Sequence, residues 1–224
     1  MSSRLNDPRH KAISRPSRDA VALLRQLLRR CPAPVIAEIG VGVGATTTEM
    51  MRLLNHQGEL HLFDFEDVLA TLMAELGAAG WNNAVPHPNG RQLFDSYSWS
   101  LARMLRDMRA AGQDGIFDFA YLDGAHTWSH DAPAALALVS LLRPGGVLLL
   151  DDFRWTLATS PTMNPERQPI TAARYSPEQI STAHVALVCE VFLDHDPRLE
   201  ALPLPLPKDS ELPLRKAYLR RMGG

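Results

Sequence analysis

The stretch that most restricts how this chain can fold is VIAEIGVGVGA, residues 35–45. Its first five residues are apolar apart from Glu38 and have the character of a buried strand. Gly40, Gly42 and Gly44 then alternate through a tight turn, and the residues that follow have helical spacing. Because a helix start offers free backbone N–H groups, this strand–turn–helix segment predicts a ligand-binding turn at the carboxyl end of a parallel strand.

The rest of the chain alternates between apolar strand-like runs and helical periodicity, which predicts a parallel sheet with right-handed crossovers and helices on both faces. An N-terminal helix is expected to start at Ser17, its cap. Further strands are expected at residues 61–65, 82–88, 117–122 and 147–150, and further helices at residues 46–54, 67–79, 99–111, 131–142 and 176–193. The irregular parts are a turn at residues 143–146, a long loop or lid at 155–175, and a terminal hairpin formed by 199–206 and 211–217.

Length and composition fit one large α/β domain. Of the 224 residues, 1–16 are expected to form a flexible arm and 17–224 a single domain. The net charge of −2 gives no basic surface for nucleic acid or an anionic membrane, and no apolar run is long enough to span a bilayer. The two cysteines, without a CxxC motif, are expected to be reduced in a cytoplasmic protein.

Acidic residues stand at the carboxyl ends of four predicted strands: Glu38, Asp64, Asp123 and the pair Asp151 and Asp152. Asp64 is placed to accept hydrogen bonds from ribose hydroxyls. If the fourth and fifth strands are neighbours, the last three carboxylates converge and repel one another unless a proton or a cation intervenes. Their hard oxygen ligands suit Mg²⁺, or alternatively Ca²⁺ or Mn²⁺. The alternative is that Asp123 caps the next helix and the aspartate pair is simply solvated.

His126, just after the fourth strand, is the best-placed general base, with an ordinary turn residue or an adenine contact as alternatives. Trp128 is a candidate wall for adenine or a substrate, or a packing residue. The remaining histidines that we considered are expected at the surface: His56, His61, His87, His130, His184 and His195.

The glycine turn alone leaves several functions open. Gly40, Gly42 and Ala45 also fit the dinucleotide pattern G-x-G-x-x-G/A, with Asp64 a little over twenty residues later. Glu38 argues against a dinucleotide site, where an apolar residue would pack the sheet at that position. A nicotinamide-dependent oxidoreductase and a glycine-rich turn without a ligand therefore stay open on these residues.

Three motifs together resemble the class I S-adenosylmethionine-dependent methyltransferases: Glu38-x-Gly40-x-Gly42-x-Gly44, Asp64, and the LRPGG segment at residues 142–146. The resemblance implies a Rossmann-like sheet of seven strands, the last antiparallel, with S-adenosylmethionine across the glycine turn. It places Glu38 near the amino group of the methionine moiety and Asp64 at the ribose. The expected cofactor-binding residues are Glu38, Gly40, Val41, Gly42, Gly44, Asp64, Phe65, Asp123 and His126.

Within that superfamily, FDFAYLDGAH at residues 117–126 and the pair Asp151 and Asp152 resemble a bacterial small-molecule branch. That branch is related to macrocin O-methyltransferase and the cephalosporin-hydroxylase-like proteins. In its metal-dependent members, acids at the positions of Asp123, Asp151 and Asp152 bind Mg²⁺. The segment Ala-His-Thr-Trp after Gly124 departs from the acidic, tyrosine-bearing form of macrocin-type enzymes.

The sequence thus predicts methyl transfer to a small molecule, with a hydroxyl oxygen as the favoured acceptor, optional help from Mg²⁺, and His126 and Asp123 as the catalytic residues. The alternatives are an NAD-dependent oxidoreductase and a non-catalytic domain that keeps the cofactor pocket. A homodimer is expected only because such enzymes commonly form one. No motif identifies the acceptor.

Overall fold

The computed structural model describes residues 15–205 and 213–223, in which seven strands form one sheet. Most of the expected N-terminal arm lies outside these ranges. The sheet order is β3-β2-β1-β4-β5-β7-β6. The strands are β1 (Val35–Ile39), β2 (Glu59–Phe65), β3 (Ala84–Asn89), β4 (Phe117–Leu122), β5 (Leu142–Leu150), β6 (Leu199–Leu202) and β7 (Lys216–Arg220).

Helices connect the strands, and the first helix precedes them. They are α1 (Arg18–Leu28), α2 (Ala45–Leu54), α3 (Glu66–Ala78), α4 (Tyr97–Ala110), α5 (Trp128–Leu141), α6 (Ile170–Arg174), α7 (Pro177–Ser181) and α8 (His184–Val188). A 3₁₀ turn at Leu157–Thr159 and a π-helical turn at Cys189–Leu193 complete the set in the described ranges. Within those ranges, no helix is long and apolar enough to cross a membrane.

The topology agrees with the expected methyltransferase sheet. β1 pairs in parallel with both β2 and β4, so the chain order reverses on the two sides of β1. β7 runs antiparallel between β5 and β6. In a doubly wound sheet, ligands bind at the carboxyl edge where the strand order reverses, which here is the crevice between β1 and β4.

Two apolar layers hold the helices on opposite faces of the sheet. Along β1 the side chains alternate between them: Ile36 packs with α1, α2 and α3, whereas Ala37 and Ile39 pack with α4, α5 and α8. Leu24 of α1 is fully buried in the first layer, which fixes the N-terminal helix to the domain. Each such buried aliphatic side chain contributes about 1.5–3 kcal/mol.

The predicted turn at residues 143–146 is wrong, because β5 starts at Leu142 directly after α5. The pairing of β4 with β5 shifts register between Phe117 and Phe119, and Gly145 has a φ of +79°. A Cβ on Gly146 would lie 2.9 Å from the carbonyl oxygen of Phe117. The glycines therefore allow an irregular strand to lie close against β4.

The C-terminal third also differs from expectation. The predicted helix at 176–193 is broken into α7, α8 and the π-helical turn, because Thr182 leaves the helical conformation with a ψ of +139°. The expected loop at 155–175 contains the 3₁₀ turn and α6. The expected hairpin exists as β6 and β7, but its second strand starts later than predicted, and residues 206–212 lie outside the described ranges.

Gly40 determines how closely the β1 turn approaches the end of β4. Its φ is +84°, and a Cβ at this position would lie 2.0 Å from the backbone oxygen of Asp123. The Cβ would be attached directly to the main chain, and the Asp123 oxygen is itself a main-chain atom. Neither atom could therefore rotate away as the end of a flexible side chain would.

We expect Gly40→Ala to lower the free energy of unfolding by about 2–4 kcal/mol, through left-handed strain and the backbone clash together. The matched control is Gly80→Ala, since Gly80 has a φ of +83° but no described atom within 4 Å of its Cβ position. The control should lose only about 1–2 kcal/mol. Urea denaturation measures both, and equal losses would show that the close approach to Asp123 is unimportant.

Candidate active site

A cavity of about 810 Å³ opens at the carboxyl ends of the central strands. It is bounded by the β1 turn, the ends of β2 and β3, and the segments that follow β4 and β5. This is the crevice that the strand order predicts. The structure brings eight of the nine expected cofactor residues, together with Asp151 and Asp152, to its wall; Gly44 lies further along the same turn.

Asp64 shapes the glycine turn from the end of β2. Its Oδ2 accepts hydrogen bonds from the N–H groups of Val41 and Gly42, at 2.9 and 3.2 Å. Its Oδ1 accepts from the N–H of Phe65 at 2.7 Å. No described atom lies within 4 Å of the Cβ position of Gly42, so the turn is open toward the cavity. Asp64 therefore organises the turn as well as lining the cavity.

Glu38 is a buried carboxyl group on the cavity wall, only 1% exposed. The hydroxyl of Thr47, in α2, donates a hydrogen bond to Oε2 at 2.6 Å. Burial raises the pKa of Glu38 from 4.5 to about 8, although the Thr47 hydrogen bond opposes the shift. At neutral pH the group is therefore mostly protonated, and it would ionise when a cation came close.

Asn89, at the end of β3, is a wall residue that the sequence analysis missed. It is 6% exposed, its Nδ2 donates to the carbonyl oxygen of Gly90 at 3.2 Å, and its Oδ1 has no hydrogen-bond partner among the described residues. Nearby, the guanidinium of Arg91 lies 4.3 Å from the ring centre of Phe65. The rule that polar groups at strand ends mark binding sites would have singled out Asn89.

Three carboxylates meet where β4 and β5 end. The hydroxyl of Tyr121 lies within hydrogen-bond distance of both Asp123 Oδ2, at 3.0 Å, and Asp151, and it can donate its single proton to one of them at a time. Burial, and then the charges of Asp151 and Asp152, hold the pKa of Asp123 well above its usual range. Arg215 Nε lies 2.9 Å from Asp151 Oδ2.

His126 faces the cavity from the segment after β4. Its Nε2 lies 3.1 Å from Asp152 Oδ2 and 3.9 Å from Asp123 Oδ1. Its ring centre is 5.4 Å from that of Trp155. His126 and Asp152 both have positive φ, +55° and +51°, and such strain in residues other than glycine is concentrated at functional sites.

The buried pair Tyr97 and Asp131 holds the segment that contains His126. The hydroxyl of Tyr97 donates a short hydrogen bond to Asp131 and accepts one from the N–H of Ala125 at 2.9 Å. Burial raises the pKa of Asp131 and of Tyr97. Since Asp131 is in the first turn of α5, the pair ties this segment to two helices.

Trp128 and the histidines other than His126 differ in how deeply they are buried. Trp128 stacks on Phe192, so packing is its role here. His184 is buried, not exposed, because its Nδ1 accepts from the N–H of Trp128 and its Nε2 donates to a backbone oxygen. Three more of the histidines expected at the surface are partly buried: His61 and His87, which stack on each other, and His130, which lines the cavity. His56 and His195 are exposed as expected.

The predicted metal ligands are not all available to one ion. The potential ligand atoms of Asp123, His126 and Asp152 lie within 4.8 Å of one another. Asp151 is instead held by Arg215 and Tyr121. The residues therefore do not fit the expected set of three aspartates.

The fold has solved counterparts of low sequence identity. One is the O-methyltransferase TomG from Streptomyces achromogenes, at 19% identity, with 100% of this chain and 91% of that chain covered and a TM-score of 0.60. Another is an O-methyltransferase from Bacillus cereus, at 17% identity, with 99% and 92% covered and a TM-score of 0.60. These likenesses support the fold. No curated protein matches the chain.

A family model described as a methyltransferase domain matches residues 37–153, slightly more than half of the 224 residues. The match runs from β1 to just past Asp152, so it includes the glycine turn, Asp64, His126 and the three carboxylates. It favours the methyltransferase over the oxidoreductase, whereas the macrocin-type branch stays a prediction. The chain belongs to this family of methyltransferase domains.

Proposed function

We propose that this chain is an S-adenosylmethionine-dependent methyltransferase that methylates a hydroxyl oxygen of a small molecule. One observation carries the proposal: a single cavity joins an open glycine turn, the buried carboxyl group of Glu38 and the unpartnered Oδ1 of Asn89 to the pair formed by His126 and Asp152. The part of the cavity formed by the glycine turn, Glu38 and Asn89, which we call the cofactor half, suits a charged nucleoside cofactor. The part formed by His126 and Asp152, which we call the acceptor half, suits removal of a proton. We further expect a small-molecule acceptor because the shared cavity is enclosed by the strand ends and their loops.

The cofactor half offers a partner for each polar part of S-adenosylmethionine. Glu38 would face the ammonium group, because a buried carboxyl group is best compensated by a cation. Asp64 would accept from the ribose hydroxyls while keeping its bonds to the turn. Asn89 Oδ1, which has no partner among the described residues, would accept from the exocyclic amine of adenine. The bound sulfonium supplies the electrophilic methyl carbon.

The acceptor half performs the proton chemistry. The Nδ1 atom of neutral His126 would take the proton of the acceptor hydroxyl, while Asp152 Oδ2, 3.1 Å from Nε2, would accept from the Nε2–H, orient the ring and stabilise its charged form. Asp123 lies at the boundary of the two halves, where its Oδ2 is 3.0 Å from the Tyr121 hydroxyl. The Tyr97–Asp131 pair keeps the His126 segment in place.

The solved counterparts support an oxygen acceptor. TomG is described as an O-methyltransferase in complex with S-adenosylmethionine, and the Bacillus cereus protein as one in complex with S-adenosylhomocysteine. A cytoplasmic location, a homodimer and the lack of a nucleic-acid partner are further expectations from sequence. A non-catalytic domain that binds the cofactor is the second candidate, and the His126 variant below separates the two.

Removing the amide of Asn89 should weaken cofactor binding. We expect Asn89→Ala to raise the dissociation constant for S-adenosylhomocysteine about 5–30-fold, since one buried hydrogen bond contributes about 1–2 kcal/mol. Asn83→Ala is the control, because Asn83 also has a buried, unpartnered Oδ1 among the described residues but lies away from the cavity. Calorimetric titration measures both, and similar losses would remove Asn89 from the cofactor site.

Cofactor binding should release a proton at neutral pH. Because the pKa of Glu38 is about 8, the free protein holds this proton at pH 7. An adjacent ammonium group favours the carboxylate and lowers the pKa, so binding should release up to about one proton and tighten as the pH rises toward 8. Titrating S-adenosylmethionine at pH 7 in phosphate and in Tris buffer gives the proton count. Glu38→Gln should abolish the release; release that persists would place its source elsewhere.

Loss of the base should slow transfer without weakening cofactor binding. We expect His126→Gln to lower the rate of methyl transfer about 10²–10⁴-fold and to change S-adenosylhomocysteine affinity less than about threefold. Transfer from radiolabelled S-adenosylmethionine to a panel of hydroxylated small molecules provides the assay. His195→Gln, at an exposed position, is the control. If no acceptor is methylated while the cofactor binds tightly, the non-catalytic candidate is favoured.

A further inference from the structure

We infer that Arg215 occupies the place of the divalent cation expected beside Asp151, and that methyl transfer by this chain needs no metal ion. The claim that transfer needs no metal rests on the proposed function. The claim about Arg215 concerns the charges of the site and can be tested without an acceptor.

The sheet register places Arg215 near Asp151. β5 and β7 are antiparallel, with Leu149 paired to Ala217 and Leu150 paired to Lys216. Asp151 and Arg215 are the residues just beyond this last pair, so they lie near each other where the two strands end. Neighbouring side chains of opposite charge on antiparallel strands attract, so an ion pair is expected there.

Arg215 lies between two carboxylates, as an ion pair with Asp151 and with a hydrogen bond to Asp19. Its Nε lies 2.9 Å from Asp151 Oδ2, and its Nη1 lies 3.2 Å from Asp19 Oδ2, in α1. The side chain is only 21% exposed and lines the cavity. A guanidinium keeps its charge at every pH at which the protein is folded, so this is a permanent cation next to Asp151.

Each of the three expected metal ligands has a protein partner. Asp151 has Arg215, Asp152 has His126 at 3.1 Å, and Asp123 has the Tyr121 hydroxyl at 3.0 Å. The mutual repulsion of the carboxylates, which was the reason to expect a metal, is therefore offset in part by the permanent charge of Arg215.

A metal ion on Asp151 would have to displace Arg215. An ion within ligand distance of Oδ2 would lie close to a guanidinium whose Nε is 2.9 Å from the same oxygen, and two cations at such separations repel strongly. Displacing Arg215 would also leave Asp19 without this partner. The remaining group, Asp123, His126 and Asp152, includes an imidazole and so departs from the all-oxygen shell that Mg²⁺ favours.

Arg215 is accordingly a positioning residue. It fixes Asp151, the Tyr121 hydroxyl bridges Asp151 and Asp123, and Asp123 faces the cavity. Through this chain of contacts, the segment before β7 sets the position of an acid at the boundary between the cofactor and acceptor halves.

The test titrates Mg²⁺ and Mn²⁺ calorimetrically into the full chain saturated with S-adenosylhomocysteine. We expect no saturable binding to the unmodified protein, and methyl transfer unchanged by EDTA. Arg215→Met should gain a Mn²⁺ site at least about tenfold tighter than any binding by the unmodified protein, because the carboxylate is freed and a repelling charge removed. Adding Asp151→Asn to the Arg215→Met variant should abolish the Mn²⁺ site. In the metal titrations Arg215→Lys, which keeps the positive charge, should gain no Mn²⁺ site, and neither should Arg106→Met, which removes an exposed arginine.

The inference would be overturned if the unmodified protein bound Mg²⁺ or Mn²⁺ and Asp151→Asn abolished that binding. Loss of methyl transfer in EDTA would also overturn it. So would failure of a folded Arg215→Met variant to gain a metal site. Thermal unfolding and circular dichroism check that each variant is folded. If Arg215→Met does not fold, the unmodified protein and Asp151→Asn still decide the outcome. Failure of S-adenosylhomocysteine to bind would instead refute the proposed function, and the titrations repeated without it would still test Arg215.

Discussion

The site depends on the close approach of the β1 turn to the end of β4. Gly40 lies so near the backbone oxygen of Asp123 that no side chain fits between them. This contact lets the residues after β1 and those after β4 enclose one cavity. In the proposed function, it brings the groups that bind the cofactor next to the groups that handle the acceptor proton, and such closeness is much of what methyl transfer asks of a protein.

Electrostatics gives the two halves of the cavity different character. Glu38 is buried, accepts a hydrogen bond from the Thr47 hydroxyl, and has a pKa raised by burial to about 8. The carboxylates after β4 and β5 are instead compensated by Arg215, His126 and Tyr121, which are parts of the folded chain. One half is therefore prepared for a positively charged ligand, whereas the other already holds the permanent cation of Arg215 before any ligand binds.

Much of the central sheet could be predicted from the sequence, because β1, β2 and β4 are short apolar runs that each end in an acid. The family resemblance added the antiparallel last strand. The LRPGG segment was misassigned because glycines inside a bulged strand and glycines in a turn look alike in a sequence. The helix at 176–193 was predicted as continuous because its apolar spacing continues across the break at Thr182.

Two features of the site needed the three-dimensional structure. The pairing of Asp151 with Arg215 depends on the register of strands far apart in the chain, and a β7 predicted several residues too early cannot reveal it. The unpartnered oxygen of Asn89 could be recognised only from its surroundings.

The position of β7 has a consequence for how the protein is made. β7 lies between β5 and β6, although it follows both of them in the chain. During synthesis from the N-terminus, Asp19, Tyr121 and Asp151 all emerge before Arg215 exists, so Asp151 has no guanidinium partner until then. β6 likewise has no strand to join until β7 forms, since it pairs with β7 alone. The nascent domain should therefore expose an open sheet edge at β5 and depend on slow, long-range strand pairing for its last folding step.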